Sequence, residues 1–440
     1  MVPPVSSPSK QKTSKDSRIM SLHRSSRSLI LSLALLLATS GAGAQLLQVP
    51  PVGSTIGELG KVGSSVLDGL ERPLGQLPLD PRGLADLRLR RLNELVRAHR
   101  DLLEMTRSGP AVRGEIVAVD PEPSAVQAAV AAGFASLGEE RIEGLDLRIV
   151  RLSTPRGMSV DDAIGRLRRI TPGAEFIADH LHLPSGSALT ATAAAPTLAG
   201  GSSSQPLIGI IDGGVAAHPA IGKVEQHGFA QGAPRPSAHG TAVASLAAGE
   251  NGMQSAAPGA PLLVADVYGD DPKGGNAVAI ARALGLMAQR GVRAVNMSIV
   301  GPANPLVAKA VAQVRARGIA VVAPVGNDGP AAPPSYPASY PGVISVTGVD
   351  GRDRPLIEAG AALHLDFAAP GADIAAASID GRLRGVRGTS FASPLVAGRL
   401  ARISLPALEA EARDLGPKGS DHRYGKGLVC GACRTPLPKK

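Results

Sequence analysis

Residues 206–433 predict an α/β fold, a mainly parallel sheet flanked by helices, and a smaller α+β module precedes them. Three observations lead there. Two apolar, β-branched runs, Leu207-Ile208-Gly209-Ile210-Ile211-Asp212-Gly213-Gly214 and Ile319-Ala320-Val321-Val322-Ala323-Pro324-Val325-Gly326-Asn327-Asp328-Gly329, lack polar alternation and end in a polar residue among glycines. That is the pattern of strands buried on both faces of a sheet. Small-residue stretches such as Ala238-His239-Gly240-Thr241-Ala242-Val243-Ala244-Ser245-Leu246-Ala247-Ala248-Gly249 read as helices that stop at glycine. Aromatic residues are 2% of the 440 and tryptophan is absent, so the core has to be packed from Ala, Val, Leu and Ile. The length allows two domains and a large core.

In chain order, residues 1–44 read as a signal peptide, with Met20 as an alternative start. Arg24 and Arg27 give a positive region, residues 29–38 an apolar one, and Ala42-Gly43-Ala44 a small-residue cleavage site. A spanning helix needs about 20 apolar residues. The run is shorter, so cleavage after Ala44 and a secreted or periplasmic location are expected, with no stable membrane span. Residues 45–110 form a leader, first rich in Pro, Gly and Leu, then a basic amphipathic helix over 84–97. No aromatic residues interleave with its arginines, so a packing helix with a solvated face is expected and no nucleic-acid partner. The net charge of +9 is spread over the whole chain and reads as solubility.

Residues 111–184 alternate as a small α+β module: a strand over 112–119, a helix over 123–134, strands within 141–152, a helix over 160–170 and a strand over 175–183. Residues 185–205 are Ser, Ala, Thr and Gly without periodicity, a flexible and cleavable linker. The α/β domain follows over 206–433, and 434–440 are a tail.

Within that domain three segments carry chemistry. Gly388-Thr389-Ser390-Phe391-Ala392-Ser393-Pro394 presents a serine at a glycine-led turn into a helix; alone it reads equally as a helix cap with a proline in the first turn. Asp212 stands at the C-terminal edge of its strand, where open α/β sheets bind ligands. His239 stands at a helix mouth. A serine hydroxyl is a poor nucleophile at neutral pH and needs a base to take its proton. Histidine titrates in the right range. A buried carboxylate on its other nitrogen holds the tautomer and stabilises the transient imidazolium. The tetrahedral oxyanion needs waiting donors, for which the side-chain amide of Asn327 and the backbone N–H of Ser390 are candidates.

In the order Asp212, His239, Asn327, Ser390, these segments resemble the subtilisin-like serine peptidases, the subtilases; the triad logic is that worked out on enzymes including subtilisin itself. Asn296-Met297-Ser298-Ile299 is similar to the segment bordering the family's substrate cleft, and residues 336–344 and 424–429 also match, so the resemblance covers about half the chain. It implies an endopeptidase acting on polypeptide substrates, with Asp212, His239 and Ser390 as triad and Asn327 as oxyanion donor. It implies too that Ser298, Ile299 and Val300 pair with substrate as an added strand, with Gly326 beside them in the substrate site. The module over 111–184 then resembles a ferredoxin-like propeptide, which would act as chaperone and inhibitor, lead its tail into the cleft, and be released by self-cleavage between His182 and Gln205.

The sequence also departs from the family. Glu250-Asn251-Gly252-Met253-Gln254-Ser255-Ala256-Ala257-Pro258 is short and poor in oxygen ligands where many members bind calcium through six to eight oxygens. No cofactor is therefore expected, and calcium stays open but without support from the loop after His239. Val300 stands where the family usually has glycine, Pro324 and Val325 where it has small residues, and the loop over 330–334 is compressed; a tight pocket for small or medium aliphatic side chains is expected. Cys430 and Cys433 lack the context of a redox or zinc motif, which leaves a local disulfide. His218 reads as a packing residue. Two other readings stay open: a catalytically silent subtilase-like binding protein, and a small-ester hydrolase. The first usually shows a missing triad residue, and the second a G-x-S-x-G elbow with the order Ser, Asp, His. Neither sign is present.

Overall fold

The computed structural model describes residues 80–185, 187, 188 and 205–437. The signal-peptide reading, the first part of the leader and most of the 185–205 linker fall outside them. Helix α1 (Pro81–Ala98) comes first, started by Asp80, whose carboxylate accepts from the Gly83 N–H. It extends the expected 84–97 helix at both ends because cap and proline set its beginning.

Strands β1 (Leu103–Met105) and β2 (Pro110–Val119), helix α2 (Pro123–Ala131), strands β3 (Ala135–Arg141) and β4 (Arg148–Ser153), helix α3 (Val160–Ile170) and strand β5 (Glu175–His180) form the smaller module. Its sheet is antiparallel in the order β3-β4-β2-β5, with β1 paired to the start of β2. Apart from β1 the chain order is βαββαβ with the first and third strands central, the ferredoxin-like arrangement. Helix α3 shows why the sequence folds this way. Ser159 caps it, Asp161 and Asp162 sit in its first turn and Arg168 and Arg169 in its last, matching the helix dipole. Val160, Ala163, Ile164 and Leu167 make one buried face.

The strand expected over 175–183 stops at His180. The N–H of His182 donates to the Gly275 carbonyl at 2.8 Å, and β6 (Leu183–Pro184) joins a different strand. Two more residues of the linker, Ser187–Ala188, form the short strand β7.

In the larger domain the elements are β8 (Ile208–Asp212), β9 (Val224–Gly228), α4 (Ala238–Ala248), β10 (Leu262–Asp266), α5 (Ala277–Arg290), β11 (Ala294–Met297), β12 (Ile299–Val300), α6 (Pro305–Ala316), β13 (Ala320–Pro324), β14 (Ile344–Val349), β15 (Phe367–Pro370), β16 (Ile374–Ala377), β17 (Leu383–Arg387), α7 (Thr389–Arg402) and α8 (Leu405–Glu411). Seven strands form a wholly parallel sheet, β9-β10-β8-β11-β13-β14-β15. Alternate side chains go to opposite faces: Ile208 and Ile210 join the core under α4 and α7, and Ile211 the core under α5 and α6. Both faces are covered, hence the unbroken apolar runs.

The module lies on α5 and α6. Val117, Ile142, Leu145, Leu147 and Ile149 share one buried cluster with Ile280, Leu284 and Val311. Around it Arg282 pairs with Glu140, Lys309 reaches Glu175 at 3.0 Å, and the Asp146 N–H donates to the Gln313 side chain at 2.7 Å.

Candidate active site

Strand β8 ends on Asp212 beside the centre of the parallel sheet, at its C-terminal edge. Helix α4 begins one residue before His239, with Ser237 as its cap accepting from the Gly240 N–H at 2.9 Å. The imidazole is thereby aimed at the strand end. Its Nδ1 lies 2.9 Å from each carboxylate oxygen of Asp212, and its Nε2 lies 2.9 Å from Ser390 Oγ. Asp212 is fully buried and His239 is 2% exposed. An ionised carboxylate only accepts, so Nδ1 carries the proton and Nε2 is left to accept the Ser390 O–H. The ring of Phe391 stands 5.2 Å from the imidazole centroid, tilted by 50°.

Ser390 is the second residue of α7. The residue before the helix, Gly388, has φ 144°, a backbone region open to glycine and little else. The proline expected in the first turn sits deeper, at Pro394, and its effect is local. It has no N–H to give to the carbonyl four residues back, which is that of Ser390. Ser298 Oγ donates to that carbonyl instead, at 2.9 Å, and itself accepts from Asn296 Nδ2 at 2.7 Å. Sequence reasoning placed Ser298 on the substrate side and passed over Asn296. The proline four residues after the serine was the available signal that the Ser390 carbonyl needs an outside donor.

Asn327 follows β13. Its Oδ1 accepts from the Thr389 N–H at 2.9 Å, which fixes the orientation of the amide. That Nδ2 is buried and has no hydrogen-bond partner. Such an orphan costs about 1–3 kcal/mol in a resting protein. Beside it, Thr389 Oγ1 donates to the Gly326 carbonyl at 3.0 Å, and a Cβ placed on Gly326 would meet Val300 Cγ1 at 3.4 Å. Val300 therefore lies over Gly326 and closes part of the gap between β12 and the Asn327 loop.

The cleft strand β12 pairs antiparallel with β6, Ile299 opposite Pro184 and Val300 opposite Leu183. The Ser185 N–H donates to the Ser298 carbonyl at 3.4 Å. Helix α1 reaches the same region through Arg88 Nε, 2.8 Å from Asp328 Oδ2. Burial raises the Asp328 pKa, and the Arg88 and Arg91 charges oppose that rise.

The structure thus brings Asp212, His239, Asn327, Ser390, Ser298, Ile299, Val300 and Gly326 to one place. Cys430 and Cys433 are joined as a disulfide and pack on the core under α4 and α7. His218 Nδ1 accepts from the Ala220 N–H at 3.0 Å, and burial lowers its pKa. Among the described residues no three His, Cys, Asp or Glu side chains cluster as a metal would require, and no helix is long and apolar enough to cross a membrane.

A carboxylate, an imidazole and a helix-mouth serine in hydrogen-bonded line on a parallel α/β sheet form one of the arrangements on which serine hydrolases, peptidases among them, are built. The chain belongs to the subtilase family, whose profile matches residues 203–427, and its class is therefore that of serine endopeptidases acting on polypeptides. It is 30% identical over 240 residues to subtilisin BL of Lederbergia lenta, covering 50% of this chain and 87% of that one. It is 33% identical over 244 residues to subtilisin DY of Bacillus licheniformis, covering 50% and 88%. Among solved structures, fervidolysin from Fervidobacterium pennivorans, a keratinolytic enzyme related to subtilisin, superposes with a TM-score of 0.60 at 20% identity. That match covers 76% of this chain and 63% of fervidolysin, and speaks to fold alone.

Proposed function

We propose that the protein is an exported serine endopeptidase that cuts polypeptides with Asp212, His239 and Ser390 and matures by removing its own N-terminal module. The observation that carries this reading is the buried line from Asp212 through His239 to Ser390 Oγ, with 2.9 Å at each link. His239 Nε2 takes the Ser390 proton as the oxygen attacks the carbonyl, and Asp212 stabilises the imidazolium that forms. The unpartnered Asn327 Nδ2 receives the oxyanion, so its cost in the resting state is recovered in the transition state. His239 then gives the proton to the departing amine. Water completes the reaction by the same route on the acyl-serine.

Export rests on the charged, apolar and small-residue pattern of residues 24–44. Inhibition by the module rests on its tail lying along β12, where a substrate strand would add. The test is to express the chain from Gln45 alongside its Ser390→Ala variant, following intact mass and digestion of an unfolded protein. The wild type is expected to split and digest, and the variant to do neither. Equal behaviour of the two would remove Ser390 from the chemistry and end this reading.

A further inference from the structure

The tail of the smaller module passes over the catalytic serine pinned on both sides. Upstream, the His182 N–H donates to Gly275 at 2.8 Å, Tyr268 Oη donates to the His182 carbonyl at 3.0 Å, and Leu183–Pro184 pairs with Ile299–Val300. His182 is fully buried there. Downstream, Ser187 and Ala188 pair antiparallel with Arg387 and Val386 of β17, the strand that runs directly into Gly388 and Ser390. The Pro184 and Ser187 positions are thus each held in a ladder. Between them the Ser185 carbonyl oxygen lies 3.4 Å from His239 Nε2, the atom bonded to Ser390 Oγ. Ser185 is 4% exposed.

We propose that the enzyme cuts its own chain on the C-terminal side of Ser185, so that its own cleft selects Leu183-Pro184-Ser185 as the sequence before the broken bond. This rests on the peptidase reading above. Ser390 Oγ attacks the Ser185 carbonyl carbon while His239 Nε2 takes the hydroxyl proton. The carbonyl oxygen turns from His239 to the waiting Asn327 Nδ2. The bond to the Gly186 nitrogen then breaks, and that nitrogen leaves as an amine with the proton from His239. Water next attacks the ester, its proton passing through His239 back to Ser390 Oγ. A Ser185 carboxylate and a new amino terminus at Gly186 result. Because Ser185 is held in the chain's own cleft, the cut is intramolecular and its rate is independent of protein concentration.

The experiment follows the first fragment to appear from the chain expressed from Gln45, by mass and N-terminal sequencing, at several protein concentrations. The expected fragment starts Gly186-Ser187-Ala188, at a concentration-independent rate. Gly186→Pro is expected to remove that fragment, because it replaces the leaving amine by a ring nitrogen, while Gly200→Pro in the linker leaves it unchanged. Should Gly186→Pro disturb folding, the mature enzyme offers an independent reading. It is expected to hydrolyse a His-Leu-Pro-Ser anilide faster than the reversed peptide Ser-Pro-Leu-His anilide. A first fragment that starts elsewhere, or equal rates on the two anilides, overturns this assignment while digestion of an unfolded protein leaves the peptidase reading intact. Absence of both cutting and digestion overturns the two together.

Discussion

Substituting Gly240 by alanine tests how the proposed triad is held. A Cβ built on Gly240 falls 2.3 Å from the Gly213 carbonyl oxygen and 2.9 Å from the Gly214 oxygen, both backbone atoms of the turn after β8. Neither can swing aside as a flexible side chain would. Ordinary contact needs about 1 Å more, so the start of α4 has to back away from the end of β8 by that amount. His239, the neighbouring residue, moves with it, and the 2.9 Å contact to Asp212 opens. A misplacement of about 1 Å at a reacting group can cost about 100-fold, and overpacking of this kind costs about 1–3 kcal/mol. Intrinsic helix propensity works the other way, favouring alanine by about 1 kcal/mol. Measuring kcat on a peptide anilide together with Tm decides the matter. The expected result is a drop of about 100-fold in kcat with a lower Tm. A variant with unchanged kcat, or with a raised Tm, would show that the α4–β8 approach does not set the His239–Asp212 contact.

Two other perturbations address how the module is held. Burial, with the Glu115 charge adding, pushes Asp179 from 3.8 up to about 7, although its carboxylate accepts from the Val278 N–H at 3.1 Å. Between about pH 4 and 7 the folded state binds more protons than the unfolded one, so this group's stabilisation is complete below the window and lost as pH rises through it. Burial pushes His180 and His182 down to about 4, which gives the opposite slope, and Asp179→Asn leaves both in place. In the Ser390→Ala background, the Tm of Asp179→Asn relative to its parent is expected to improve steadily across that window; parallel curves would refute the assignment. Arg88→Ala removes an ion pair to Asp328 whose side chains are 24% and 30% exposed, so global stability should fall by about 1 kcal/mol. Hydrogen exchange in Pro81–Ala98 is nonetheless expected to speed up, and unchanged protection would mean that α1 is held by its apolar side alone.

The chain's own pattern determined the parallel sheet, the α+β module before it, and the positions of Asp212, His239, Asn327 and Ser390. Each of these is a local matter: an apolar run closed by a polar residue, a small-residue helix started by a cap, a glycine before a serine. Helix Val160–Ile170 was readable for the same reason, since its caps, charges and buried face all lie within its own residues. Contacts between distant segments were not readable. The separation of His239 from Ser390 in sequence says nothing of the 2.9 Å between them, which depends on α4 and α7 packing on one face of the sheet. Likewise the expected 175–183 strand ends early, because Leu183–Pro184 gains a partner in Ile299–Val300 that no local periodicity encodes. The linker's composition marked it as flexible, yet Ser185 is buried beside His239 and Ser187–Ala188 is paired. Arg88 read as one of many solvated arginines until α1 set it on Asp328. Composition and periodicity report what a segment does with its immediate neighbours, whereas tertiary packing alone chooses which distant groups meet.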